Sequence, residues 1–200
     1  MASGPYATVA GGRADLAAGG GSFAAGTRAQ ARNNGTFVWS DGTGTQPLAS
    51  TASGQFMARA SGGFYLYSNG ADTAGVKLAP GSGTWSSLSD RAAKTGIAQL
   101  DAGAILAKVV ALPVTSWSYR SEDPRVRHAG PMAQDFHAAF GLGEDGRHIT
   151  SIDEDGVALA AIKGLYARSE RENGALRTQV SSLQRQLAAL AAKVDDLRKR

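Results

Sequence analysis

The clearest pattern in the chain is at its C-terminal end. Leu176, Val180, Leu183, Leu187, Leu190, Val194 and Leu197 recur at alternating spacings of four and three. That heptad phase predicts a long amphipathic helix whose apolar stripe is a coiled-coil seam, with leucine at every d position. Carried backwards, the same frame places Asn173, Ser169, Tyr166 and Ile162 in the seam. The seven apolar side chains would gain about 10–20 kcal/mol on full burial, and no second heptad segment exists in the sequence to cover them. The stripe therefore calls for other chains.

The N-terminal end has the opposite character. Short alternating runs are punctuated by glycine, and Val9-Ala10-Gly11-Gly12-Arg13-Ala14 is echoed at an offset of 15 by Ala24-Ala25-Gly26-Thr27-Arg28-Ala29. The segment closes on Gly35-Thr36-Phe37-Val38-Trp39-Ser40-Asp41. Small residues at repeat positions suit stacked strands of a β-roll, which holds only by stacking on itself or on neighbouring chains. Phe23, Phe37, Val38 and Trp39 argue against a plain Gly/Ala linker. Hairpin-like signals follow in Gln55–Ala60 and Gly63–Ser68, ahead of Asn69-Gly70. Val76–Pro80 reads as another strand, with a turn at Gly81-Ser82-Gly83.

Beyond residue 97 the pattern becomes mixed. Ile97 to Leu112 reads as a helix stopped by Pro113, Val114 to Arg120 as a strand and Val126 to Met132 as a second strand. Gln134 to Phe140 reads as a short helix closed by Gly141, and Ile149 to Ile152 as a short strand. Asp153 or Asp155 would then cap the long helix.

Composition sharpens the division. Of 26 glycines, 17 precede residue 91. Aromatic residues are only 7% and cysteine is absent, which excludes a disulfide framework and thiolate metal sites. The net charge of +4 belongs to residues 165–200, while the rest of the chain cancels. The basic pI therefore describes a coiled-coil surface interrupted by acids, with no nucleic acid as partner. The sequence shows no signal peptide and no spanning helix, so no membrane insertion is expected.

Most active-site patterns fail. His128, His137 and His148 have no short-range partner for a metal, and Asp153-Glu154-Asp155-Gly156 lacks the calcium-loop spacing. No phosphate-cradling glycine loop or nucleophile elbow is present, so no cofactor and no metal are expected. One constellation remains, Ser87-Leu88-Ser89-Asp90-Arg91-Ala92-Ala93-Lys94. Its plain reading is a helix start capped by Ser89 or Asp90. On a regular helix, side chains five residues apart lie about 140° apart, so a Ser89–Lys94 pair requires a turn or strand at Ser89, or a neighbouring chain.

These residues also carry a resemblance. Ser89-Asp90-Arg91-x-x-Lys94-x-x-Ile97, then Arg127-His128-Ala129-Gly130-Pro131-Met132-Ala133-Gln134, then Ala161-Ile162-Lys163 and the coiled coil occur in that order. Together they resemble the endosialidase-type intramolecular chaperone domain of bacteriophage tailspikes and tail fibres, over residues 85–200. Ala93, where leucine often precedes the lysine, and Pro131 depart from its pattern. The strip at 6–41 is similar to the head repeats of trimeric autotransporter adhesins, which also occur in bacterial and phage fibre proteins.

The resemblance implies a homotrimer that folds and then cuts itself between Leu88 and Ser89, with Ser89 as nucleophile and Lys94 as general base. It implies no enzyme acting in trans. His128 would assist proton transfer or donate to the oxyanion, Arg91 could supply positive charge, and Asp90, Gly130 and Gln134 are supporting motif residues. A lysine amine of ordinary pKa, about 10.4, is neutral in only about one copy in 2,500 at pH 7. Burial or a nearby cation would therefore be needed.

The expected fold is a mixed α+β homotrimer. It comprises adhesin-head-like repeats at 1–41, a β connector or prism at 42–88, a chaperone autoprocessing domain at 89–160 and a coiled-coil helix at 161–200. The expected partners are two further copies of the chain and a host cell-surface receptor. The expected place is a virion tail fibre assembled in the host cytoplasm. The alternative is an adhesive cell-surface fibre that is trimeric and never cut.

Overall fold

The computed structural model describes residues 1–199 and divides into two compact units, Met1–Ile97 and Ala98 onward. The first unit opens with seven short strands: β1 (Thr8–Arg13), β2 (Leu16–Ala17), β3 (Phe23–Thr27), β4 (Ala29–Ala31), β5 (Phe37–Ser40), β6 (Leu48–Ala49) and β7 (Phe56–Arg59). Odd and even strands separate into two parallel sheets, ordered β1-β3-β5-β7 and β2-β4-β6. Each successive strand pair thus lies beside the pair before it. Ala17, Ala24, Ala29, Ala31 and Val38 are fully buried between the sheets. Alanine at these positions explains the thin aromatic supply, since larger side chains would force the sheets apart.

The structure corrects the repeat length. Thr8 and Val9 pair with Phe23 and Ala24, but Gly12 and Arg13 pair with Gly26 and Thr27. A bulge between Val9 and Gly12 absorbs one residue. The offset of 15 holds only before it, and the next strands step by 14, Phe23 facing Phe37. Gly26 shows why glycine recurs here: its φ is +101°, and a Cβ would lie 2.1 Å from the Ser40 carbonyl oxygen. Phe23, Phe37 and Phe56 stack in register, with ring centroids 4.6 Å apart at each step. The third step is longer, and Arg28 reaches into the intervening loop to donate to the carbonyls of Gly42 and Gly44.

The hairpin expected from 55–60 and 63–68 does not form. Phe56–Arg59 joins the parallel sheet because its stacking partner Phe37 lies there. β8 (Phe64–Tyr67) turns instead at Asn69, whose side chain accepts from the Thr73 and Ala74 amides, and pairs antiparallel with β9 (Gly75–Leu78). β10 (Trp85–Ser87) adds to the other edge of β9.

In the second unit, α1 (Ala102–Ala111) starts five residues later than the expected Ile97, because Asp101 accepts hydrogen bonds from the Gly103 and Ala104 amides as N-cap. β11 (Thr115–Trp117) and β12 (His128–Gly130) form an antiparallel ribbon, and α2 (Ala133–Phe140) ends at left-handed Gly141. The strand expected at 149–152 is absent. Thr150 caps α3 (Ser151–Arg198) by accepting from the Asp153 amide, so Ile152 lies in the first helical turn and neither Asp153 nor Asp155 is the cap.

α3 has 48 residues, about 72 Å at 1.5 Å each. Its first turns bury Val157, Ala160, Ala161 and Gly164, and together with Ile105 and Phe136 the first three make the core of this unit. Gly164 lets α1 approach closely, since a Cβ there would lie 2.2 Å from the Ala102 carbonyl oxygen. The heptad residues Leu176 to Leu197 are all exposed in the single chain, as are Ile162 and Tyr166. No helix among the described residues is long and apolar enough to cross a membrane.

Candidate functional site

Ser89 sits just past β10, and the chain then folds into a single 3-10 turn, Arg91–Ala93. Asp90 fixes the start of that turn, its carboxylate accepting from the Ala92 amide at 2.9 Å. The Ala93 and Lys94 amides donate to the carbonyls of Asp90 and Arg91. Lys94 leaves the turn in an extended conformation, with φ −120° and ψ 147°. Extended residues on both sides of one tight turn bring the two side chains to the same place. Lys94 Nζ donates to Ser89 Oγ at 2.7 Å. An α-helix over these residues would have kept them apart, so the arrangement depends on the helix failing to continue beyond one turn.

Both side chains are exposed in the single chain. Leu88 and Ser89 also form part of the wall of an open cavity of about 370 Å³, built by Tyr65 and Tyr67 from β8 and by Gly75 to Lys77 from β9. The peptide bond between Leu88 and Ser89 therefore lies beside both a hydroxyl–amine pair and a concave surface of the first unit.

The remaining motif residues lie in the second unit. His128 is opposite Trp117 in the β11–β12 register. Its Nε2 is 2.7 Å from Glu122 Oε2, and its ring packs against Trp117 and Tyr119, at 4.9 and 5.4 Å between centroids. Gly130 ends β12, and exposed Gln134 lies in the first turn of α2. These two residues line a second cavity, of about 420 Å³, with Trp117, Tyr119, Arg147 and Glu154. Arg91 lies in the 3-10 turn and its side chain has no hydrogen-bonded partner among the described residues.

Sequence reasoning missed Glu122 and the Tyr65–Tyr67–Lys77 surface. The one available signal for Glu122 was its place in Ser121-Glu122-Asp123-Pro124, a turn that returns the chain toward His128. The other histidines have local partners, His137 Nδ1 with the Leu142 carbonyl and His148 with Asp145. The Arg147 amide and His148 hold the Asp145 carboxyl below its ordinary range. Asp153 and Glu154 sit in the first turn of α3, where they favour the helix N-terminus. Among the described residues no three metal-ligating side chains cluster.

Residues 89–142, about a quarter of the chain, match a peptidase family described as chaperone of endosialidase. The match begins at Ser89 and takes in Lys94, Glu122, His128, Gly130 and Gln134. The match supports an endosialidase-type chaperone domain in this segment, with a chaperone-like part in trimerisation. No curated protein and no solved structure matches the chain.

Proposed function

We propose that this chain is part of a phage or prophage tail fibre whose chaperone domain drives homotrimerisation and then releases itself by cutting the Leu88–Ser89 bond. The observation that carries this reading is the 2.7 Å contact from Lys94 Nζ to Ser89 Oγ. That contact sits at the first residue of a segment matched to a peptidase family. Neutral Lys94 accepts the Ser89 hydroxyl proton as Oγ adds to the Leu88 carbonyl carbon. The Leu88–Ser89 C–N bond then breaks, and the proton passes to the Ser89 nitrogen. Leu88 is left as an ester on Oγ. Water hydrolyses the ester, giving a Leu88 carboxylate and a free Ser89 hydroxyl. Nucleophile and carbonyl belong to the same residue pair, so the attack has a high effective concentration.

Exposure of the amine in one chain gives the reaction its control. Packing of three chains around residues 89–94 would desolvate the Lys94 amine and favour the neutral form that accepts the Ser89 proton. Cutting then follows assembly. The unpartnered stripe from Leu176 to Leu197 supplies the driving force for that assembly. In the trimer the two parallel sheets, which run from β1 to β7, form the β-roll shaft, with its outer surface presented to a host-cell receptor. His128, held by Glu122, either relays a proton or donates to the oxyanion.

The same exposure favours one other reading, a trimer clamp of an adhesive surface fibre that is never cut. Intact-mass measurement of the purified trimer over time tests the choice. Two fragments, one ending at Leu88 and one beginning at Ser89, in wild type, and one full-length species in Ser89→Ala, support self-cleavage. A wild-type chain that stays whole supports the clamp.

A further inference from the structure

Charge must develop on the Leu88 carbonyl oxygen during attack and persists as a carboxylate after hydrolysis, so a nearby cation on the fibre side would favour both. β10 pairs with β9 so that Ser86 faces Lys77 and Ser87 faces Val76, and β8 pairs on the far side so that Tyr65 faces Lys77 and Tyr67 faces Gly75. Side chains alternate along strands, so Tyr65, Tyr67, Lys77 and Ser86 share one face. Leu88 lies two residues beyond Ser86 and lines the same cavity as Tyr65, Tyr67 and Lys77. Lys77 is therefore a diagonal neighbour of Leu88, within the range that long side chains span. Of the cavity's described lining residues it is the only cation. Its Nζ now rests 5.8 Å from the centre of the Tyr65 ring.

Resting on the self-cleavage reading, we infer that Lys77 is the cation serving the Leu88 side of the cut, stabilising negative charge on the scissile carbonyl and retaining the new Leu88 carboxylate in the Tyr65–Tyr67 cavity. It is supplied by the fibre and lies outside the segment matched to the chaperone family, residues 89–142. The cut would thus need a folded fibre-side sheet as well as the chaperone, which makes release conditional on correct folding of the part that is kept. Gly75, in the row beside Leu88, lines the same cavity.

The test uses the full chain, with trimer content followed by sedimentation and cutting followed by intact mass. Lys77→Met keeps the aliphatic stem and removes the charge. It is expected to cut about a hundredfold more slowly as an intact trimer, as when a donor to a developing oxyanion is lost. Lys77→Arg is expected to restore most of the rate. The midpoint of the pH–rate profile should not move, because Lys77 is not the base. Wild-type speed in Lys77→Met overturns the inference, as does a Lys77→Arg chain as slow as Lys77→Met, which would make the residue a packing element. A displaced midpoint also overturns it, by assigning Lys77 to the Lys94 amine instead. Should Lys77→Met fail to assemble, Lys77→Gln is read in its place by the same criteria. Fragment formation in Ser89→Ala, or none in wild type, defeats the underlying reading and is distinct from all of these results.

Discussion

Charging the coiled-coil seam should dissolve the assembly without unfolding the chain's own core. Leu183 and Leu190 retain 56% and 59% exposure in the single chain. Closing a seam over them recovers about half of the ~1.5–3 kcal/mol of full leucine burial, or about 1 kcal/mol each per chain. Over three chains the two positions contribute about 6 kcal/mol, which is about four orders of magnitude in association. Replacing both with aspartate removes that gain and adds the cost of three carboxylates crowded at each seam layer. Neither leucine belongs to the cluster of Ile105, Phe136, Val157, Ala160 and Ala161, so that core should survive. Sedimentation equilibrium at micromolar concentration should show a trimer for Ser89→Ala and a monomer when Leu183→Asp and Leu190→Asp are added. A trimer that persists in the doubly charged variant, or a Ser89→Ala chain that is itself monomeric, refutes the seam.

Other expectations follow from single contacts. Gly26→Ala combines a φ of +101° with a Cβ 2.1 Å from the Ser40 carbonyl oxygen, so it should cost about 1–3 kcal/mol and lower the melting temperature. Hydrogen bonds from the Ser61 hydroxyl and amide, then from Thr43, hold the Asp41 carboxyl well below the usual carboxylate range. Because the folded value is depressed, this contribution is present above the ordinary pKa of 3.8 and is lost as pH falls through the folded value. Asp41→Asn should therefore flatten the acid limb of a pH–stability curve measured by circular dichroism. His128→Ala should slow cutting if the imidazole assists the reaction. An unchanged rate, with loss of thermal stability from the Glu122 and Trp117 contacts, makes it structural.

How much was legible depends on whether a feature is local. The heptad stripe could be read because its spacing maps directly onto one helix face, and the structure leaves that face uncovered from Leu176 to Leu197. The Gly/Ala echo revealed repetition but not register, since a one-residue bulge between Val9 and Gly12 has no side-chain signature. Ile149-Thr150-Ser151-Ile152 has strand composition, yet one hydrogen bond from the Asp153 amide to Thr150 makes it a helix start. The Ser89–Lys94 spacing was visible, while their contact rests on a 3-10 turn whose length propensity does not set. Lys77 comes beside Leu88 only through strand pairing and leaves no pattern in the sequence, and Glu122 beside His128 is signalled only by the turn at 121–124.

The most direct test of the account is N-terminal sequencing of the fragments formed by the purified trimer across a pH series. Wild type should yield a new terminus reading Ser89-Asp90-Arg91, at a rate that rises with pH and does not change on dilution, because the base must be neutral and the attack is intramolecular. Ser89→Ala, Lys94→Ala and Lys94→Arg should each remain whole, since arginine stays protonated at any usable pH. The same Ser89 terminus appearing at wild-type rate in Ser89→Ala or Lys94→Arg would contradict the account and point to an outside protease acting on an exposed segment.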